Sequence, residues 1–292
     1  MSDFTARWLA LREPADGAAR SERLARRFAA ALRGPRIFDL GAGTGANARY
    51  LAPLVAGDQD WILVERDPAL RKAQAAAFGA WARRHRLPLR ATARGIVVEA
   101  GDARWRFRAH AADLAKGCAR LPVRPGDGVT CAALFDLVSG AWLARFVAWL
   151  AEREAPFLGA LTVDGKRLWR PAHTIDALVR LAFGHDQARD KGFGSALGAA
   201  AAEAVPRALR AAGFHVATAA GDWRLGGAER ALVAALARSD AALARAAWPE
   251  RKAAIALWRS ARLKAAASGR LALTVGHRCV LALPRGIRDK EA

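Results

Sequence analysis

Cysteine is scarce, acid is outnumbered, and no long uncharged apolar run exists; each shortage removes a class of protein. The 3 cysteines, Cys118, Cys131 and Cys279, are odd in number and show no Cys-x-x-Cys or Cys/His ligand spacing. A disulfide framework and a zinc site are therefore not expected, and the thiols read as reduced ones of a cytoplasmic protein without a metal. The first residues lack an apolar signal core, and the most apolar stretch, 129–150, is interrupted by Asp136 and Arg145. Nothing in the sequence reads as a membrane span. There is also no internal repeat and no low-complexity linker, so 292 residues suit one large α/β domain.

The shortage of acid is the largest imbalance. Lys+Arg number 47 against 27 for Asp+Glu, a net charge of +20, which invites a nucleic-acid partner. Nearly all of the surplus is arginine in a background of abundant alanine, which a GC-rich coding bias also produces. The densest run, 68–94, holds no acid and carries Arg71, Lys72, Arg83, Arg84, Arg86, Arg90 and Arg94. It reads either as a footprint for a phosphate backbone or as a solvated helix face and its trailing loop, with Phe78 and Trp81 facing the core.

What the chain does possess is one organised stretch. Ile37, Phe38 and Leu40 suit a strand buried on both faces, and Gly41, Gly43 and Gly45 follow at every second position before a helical run over 46–55. A ligand can approach bare backbone there. Asp39 ends the strand, and Glu65 closes a second apolar run, 61–64, at an offset where a carboxylate can receive both hydroxyls of a ribose.

Asp39-Leu40-Gly41-Ala42-Gly43-Thr44-Gly45 followed by Leu63-Val64-Glu65-Arg66-Asp67-Pro68 resembles the cofactor signature of class I S-adenosylmethionine-dependent methyltransferases. A dinucleotide site more often reads Gly-x-Gly-x-x-Gly, with a diphosphate on the following helix N-terminus. The resemblance implies a Rossmann-like, doubly wound α/β fold: a mostly parallel seven-stranded sheet with helices on both faces. It implies one domain over 1–292, with a helical preface over 1–34 and a helical insertion over 225–266 before the last strand. It further implies S-adenosyl-L-methionine as cofactor and S-adenosyl-L-homocysteine as product. Asp39, Gly41, Ala42, Gly43, Gly45, Glu65 and Arg66 would form the cofactor cradle. Asp113 would accept the adenine amine beside Leu114, and Ala132 would leave room for the methyl donor.

The remaining elements are expected in order. Two amphipathic helices should precede the first strand, separated at 14–17, and Pro68 should open a helix to His85. A hairpin should turn at Gly101-Asp102, a fourth strand should run over 127–133, and a fifth strand should turn back at Asp164-Gly165. Residues 222–224 should be a turn, and 271–283 a last strand or a hairpin around Gly276-His277. Asp136 is the first carboxylate past the fourth strand, and serves there as a general base or as a helix cap. The polar segment with His185, Asp186 and Asp190, followed by Gly192, Gly194 and Gly198, suggests a substrate lid or an ordinary surface loop. Asp136, His185, Asp186 and Asp190 are the candidates to take a proton from the acceptor. A small-molecule substrate leads; an RNA methyltransferase using the basic run and a non-catalytic cofactor-binding module are the alternatives. The oligomeric state is not legible.

Overall fold

The computed structural model describes residues 5–287. The chain opens with α1, Ala6–Ala19, capped by Thr5, whose hydroxyl accepts the backbone N–H of Trp8, and α2, Glu22–Ala31, capped by Ser21. Phe4, an apolar residue of the expected preface, lies outside the described residues. The break expected at 14–17 does not occur: α1 runs through Pro14 and Gly17 and ends at the extended Arg20. Proline forfeits one helical hydrogen bond, but Ala15, Asp16 and Ala19 are buried on this turn. Asp16 is also tied to Arg12, one turn back, and to the indole N–H of Trp223 at 3.1 Å. Packing overrides the local breaker.

The first strand, β1 (Arg36–Leu40), leads through the glycine turn into α3 (Ala46–Leu51) and a short 3-10 turn, Ala52–Leu54. β2 (Gln59–Val64) precedes α4, Pro68–His85, with Pro68 in the first turn and Asp67 accepting from the Ala69 N–H as the cap. Then come β3 (Leu89–Thr92), β4 (Gly95–Ala100) and β5 (Ala103–His110). β4 and β5 form the expected hairpin, with Ala100 opposite Ala103. β3 was not expected; it adds an edge strand where the trailing loop of the basic run was anticipated.

β6 (Gly128–Ala132) leads to α5 (Gly140–Glu152), β7 (Phe157–Arg170), α6 (Asp176–Gln187) and α7 (Ala201–Ala211). β8 (His215–Ala220), β9 (Trp223–Leu225), α8 (Arg230–Ala247), α9 (Lys252–Ala267) and β10 (Ala272–Leu283) complete the order. Residues 223–225 are thus a strand rather than a turn.

The sheet has ten strands in the order β3-β4-β5-β2-β1-β6-β7-β10-β8, with β9 also paired to β10. Five of them, β5-β2-β1-β6-β7, are parallel neighbours, and β10 enters antiparallel between β7 and β8. This is a Rossmann-like doubly wound sheet, larger than the seven strands expected because β3, β4 and β9 are added. Its winding reverses between β1 and β6, so the loops that follow these two strands flank the crevice where open α/β sheets hold ligands. Alternate residues of β1 serve opposite layers: Ile37 joins a core with Leu24, Phe28 and Phe78, whereas Phe38 and Leu40 join one with Phe135, Trp142 and Phe146.

β7 does not turn back at Asp164-Gly165. It continues to Arg170 because β10 pairs with both halves, from Ala282 opposite Phe157 to Ala272 opposite Arg170. The Asp-Gly chemistry is spent on a bulge: the Asp164 carboxylate accepts the Lys166 N–H at 2.9 Å, and the register slips between Val275 and His277. Gly276 faces that bulge, and a Cβ there would overlap the Asp164 carboxylate. β10 likewise passes through Gly276-His277 as one strand.

The helices between β9 and β10 are anchored to β7 by a buried bidentate pair, Arg167 with Asp240, at 2.7 and 2.6 Å. Both side chains are at most 3% exposed. Removing one partner leaves a buried charge without compensation, so Arg167→Ala should lower the unfolding free energy by about 3–5 kcal/mol in urea denaturation. Glu22→Ala, which removes the exposed pair with Arg26, should change it by less than about 1 kcal/mol.

Candidate active site

The glycine turn meets the expectation of a left-handed backbone: φ is +67° at Gly41, +55° at Gly43 and +85° at Gly45. A Cβ on Gly45 would come within 2.5 Å of the Phe78 ring, and one on Gly43 within 2.9 Å of Leu9 Cδ1 on α1. The turn is pinned to the sheet where the buried Ala42 donates its N–H to the carbonyl of Val64 at 3.0 Å. Gln74 of α4 donates to the Gly43 carbonyl at 3.0 Å. Glu65 reaches back from the end of β2, so that Oε2 accepts the Gly43 N–H at 2.9 Å and Oε1 the Asp67 N–H at 2.9 Å. Each of its oxygens keeps a further lone pair for a ligand.

Asp39 is buried on the layer that holds α1 and α3. Its Oδ1 accepts from Asn47 Nδ2 at 2.9 Å, and the same amide reaches the Thr130 hydroxyl on β6. Asp39 Oδ2 has no partner among the described residues. Burial pushes this carboxyl up to about 7, against the opposing effects of the Asn47 hydrogen bond and the Arg20 charge. On the same side of the crevice, past the end of β5, Asp113 caps a 3-10 turn, Leu114–Lys116, and stands 3.6 Å from Arg66. Leu114 is buried and its carbonyl accepts the Trp142 indole N–H at 2.6 Å. The Asp39, Glu65 and Asp113 carboxyls thus end three adjoining strands of one sheet edge, and Ala132 ends the fourth.

Beyond Ala132, Ala133 takes a positive φ of +52°, and Asp136 lies in a 3-10 turn, Phe135–Leu137. Asp136 does not cap α5; Ser139 does, accepting the Trp142 N–H. The Asp136 side chain is buried, its Oδ1 is without a partner among the described residues, and desolvation raises it to about 6 while Arg12 and Lys191 oppose that rise. A carboxylate so tuned is suited to take a proton near neutral pH.

The other three proton-acceptor candidates are engaged with other groups. His185 stacks against Trp248, ring centroids 5.6 Å apart. Asp186 is engaged by Lys191 at 2.8 Å, and Asp190 accepts the Gly192 and Gly194 N–H groups of its own loop. The loop itself does lie on the edge: the Leu197 N–H bonds the Val138 carbonyl at 2.8 Å, and a Cβ on Gly194 would touch Ser139. Its glycines approach the crevice while its acids are used to fold the loop.

No individual residue of α1 was singled out for the site from the sequence. Leu9 covers Gly43, and Glu13 pairs with Arg49, which in turn binds the Thr44 carbonyl and lies over Phe78. Asn47 and Gln74 were also missed. The signal available was their position, Asn47 two residues past the last glycine and Gln74 in the second turn of α4, but no spacing rule marks an amide as a second support.

The basic run is partly spoken for. Arg71 donates to the Glu65 and Arg66 carbonyls, and Arg90 and Arg104 share Glu99. Among the described residues no group of histidines, cysteines and acids is arranged to hold a metal ion, and no helix is long and apolar enough to cross a membrane. The three cysteines are buried and unpaired.

No protein-family model matches the chain, and no curated protein sequence does. Among solved structures it is similar to an S-adenosylmethionine-dependent methyltransferase from Thiobacillus denitrificans in complex with S-adenosyl-L-homocysteine, at 16% identity and a TM-score of 0.46 over 96% of this chain and 99% of that one. A cyclopropane synthase from Mycobacterium tuberculosis follows at 12% and 0.47 over 96% and 95%. A methyltransferase from Geobacter sulfurreducens, also with S-adenosyl-L-homocysteine, stands at 15% and 0.45 over 98% and 100%. Likeness at this distance assigns no activity, and the site has to be read from its own residues.

Asp39 also carries a consequence for stability. Its carboxyl holds a proton up to about pH 7 when folded but only to about 4 when unfolded. The folded state therefore binds more protons between these values, and stability falls as pH rises through that window. Thermal melts between pH 4.5 and 8 should show a decline on the alkaline side, and Asp39→Asn should flatten it.

Proposed function

We propose that this chain is an S-adenosyl-L-methionine-dependent methyltransferase acting on a small molecule with an oxygen or nitrogen acceptor. The observation that carries this reading is Asp39 Oδ2, a buried acceptor without a donor behind a turn of three left-handed glycines. A ligand that fits such an edge supplies hydrogen-bond donors and positive charge. S-adenosyl-L-methionine has an ammonium and a sulfonium, whereas the diphosphate of a dinucleotide has acceptors alone. The remaining lone pairs of Glu65 suit a ribose diol, and the Asp113 carboxylate suits the adenine amine.

When bound, the cofactor supplies an electrophilic methyl group. The chain's own part is to orient the acceptor, exclude water and remove a proton, since in-line displacement needs little else. Asp136, buried in the turn past the end of β6, is the group we assign to take that proton. A nucleic-acid acceptor is less well supported, because Arg71 and Arg90 of the basic run already have partners.

Isothermal titration calorimetry should register S-adenosyl-L-homocysteine binding that NAD does not compete away. Glu65→Ala should weaken it about ten- to hundred-fold, as expected for losing charge-assisted hydrogen bonds. With labelled S-adenosyl-L-methionine and a host extract, label should enter the small-molecule fraction and disappear in Asp136→Asn. Label in the RNA fraction would overturn the substrate class. Cofactor binding without transfer would leave a binding module in place of an enzyme.

A further inference from the structure

One arginine of this chain is buried without an acceptor. Arg20 ends α1 as its extended cap residue and is only 9% exposed. Its guanidinium lies over the Tyr50 ring, 5.0 Å from the centroid, but it makes no hydrogen bond and no ion pair among the described residues. The other buried arginines each hold a carboxylate: Arg49 that of Glu13, Arg167 that of Asp240 and Arg262 that of Asp176. Asp16 and Asp39 act on Arg20 through space, yet the Asp16 carboxylate is taken by Arg12, at 2.9 and 3.1 Å, and by the Trp223 indole N–H. Burial pushes Arg20 below the ordinary arginine range against these two carboxyls, but a guanidinium stays charged even so. Folded proteins pair such a group, because leaving it buried and unpaired is costly.

Arg20 borders a cavity of about 470 Å³ between α1 and residues 220–229. Of its three nitrogens only Nε is wholly sealed, so Nη1 and Nη2 are the ones a solute can reach. Arg224 of β9, exposed and likewise without a side-chain hydrogen bond or ion pair among the described residues, lines the same cavity. The acids of the lining are engaged. Asp222 accepts from Lys166 Nζ at 2.8 Å and from the His277 N–H at 3.3 Å, and Glu229 accepts the Gly226 N–H at 2.9 Å. The rest of the wall is mainly apolar, with Pro14, Ala15 and Ala18 on α1 and Leu225 on β9.

The cavity also sits where such a sheet holds ligands. β7 and β8 are both antiparallel to β10, so β8 points the same way as β1, and residues after Ala220 lie past its carboxyl end. Gly221 lets the end of α1 close on that turn, since a Cβ there would stand 2.8 Å from the Ala19 carbonyl oxygen. No residue of the glycine turn lines the cavity, nor do Glu65, Asp113 or Ala132. It is therefore separate from the cofactor cradle.

We propose that this cavity binds a small monocarboxylate with an apolar body, its carboxylate on Nη1 and Nη2 of Arg20 and its body along α1. A planar guanidinium matches the two oxygens of a carboxylate with two parallel hydrogen bonds. Arg224 adds positive charge from the β9 side, while Asp222 and Glu229 offset much of the total, so a monoanion is favoured over a phosphate dianion. The alanine and proline wall offers contact to hydrocarbon and no hydrogen bonds to a sugar. This site stands whether or not the chain transfers methyl groups.

The test is calorimetry on the full chain with octanoate and benzoate as probes, beside octanol, benzamide and inorganic phosphate. Both carboxylates should bind, and the three comparators should bind at least about ten-fold more weakly. Arg20→Gln keeps a donor without the charge and should weaken octanoate about ten- to hundred-fold. Because it removes a buried cation that has no acceptor, its melting temperature should stay at or above wild type. Ala18→Trp, at an exposed position of the wall, leaves Arg20 in place and should block the carboxylates by filling the cavity. Binding of S-adenosyl-L-homocysteine should be unchanged in both variants.

Failure of wild type to bind either carboxylate overturns the proposal, as does octanoate binding that survives intact in Ala18→Trp or in Arg20→Gln. Phosphate or octanol bound as tightly as octanoate overturns the ligand class. A lowered melting temperature in Arg20→Gln makes the arginine a structural one. Loss of S-adenosyl-L-homocysteine binding in that variant assigns Arg20 to the cofactor and likewise sinks the separate site.

Discussion

Everything in this site depends on β1 lying between β2 and β6, parallel to both. Asp39 faces Leu63 on one side and Thr130 on the other, so the carboxylate is sealed between strands before any ligand arrives. Its desolvation is offset in part by the Asn47 amide, which also ties the first turn of α3 to β6 through Thr130. The reversal of winding at this pair of strands then brings the glycine turn and the loop after β6 together, with Leu134 beside Gly41. A carboxylate kept partly protonated and half-paired is costly to hold, and such groups gather where function needs them.

The second constraint is α1. Its middle carries Leu9 onto Gly43, Glu13 onto Arg49, and Arg12 and Asp16 onto Trp223. One helix face thus spans from the glycine turn to the far strands β9 and β10. The absence of a Cβ at Gly43 and Gly45 is required from this side, since Leu9 and Phe78 fill the space. The same glycines that free the backbone for a ligand allow α1 and α4 to close on it.

Electrostatics in this chain is local rather than global. The surplus of 20 positive charges suggests a polyanion partner, yet many of the arginines in the structure are structural. Arg49 and Arg71 cap backbone carbonyls of the turn region, Arg167 locks the helices between β9 and β10, and Arg262 binds Asp176 and the Pro171 carbonyl beside Trp258. Arginine's planar fork, with five donors, suits each of these tasks.

The sequence by itself determined the features that depend on neighbours in the chain. The strand, glycine turn and acid of 36–45, Pro68 opening α4 to His85, and the Gly101-Asp102 hairpin follow from backbone chemistry and period, and all are legible in the residues. It failed where a distant partner decided the outcome. Asp164-Gly165 has the chemistry of a turn, and Gly276-His277 that of a second one, but each is the bulge that lets the other strand continue. Pro14 and Gly17 read as a helix break, and Asp16 holding Trp223 from the other end of the chain keeps α1 whole. Asp136 was visible as a carboxylate past a strand, but whether it capped α5 depended on Ser139 taking that place. The surroundings of His277 could not be read from the sequence: an imidazole in a strand comes to lie on Trp223, under Arg12 of α1, only in the tertiary structure. Local conformational preference acts over a few residues, whereas burial, and with it the tuning of these polar groups, is a property of the packed whole.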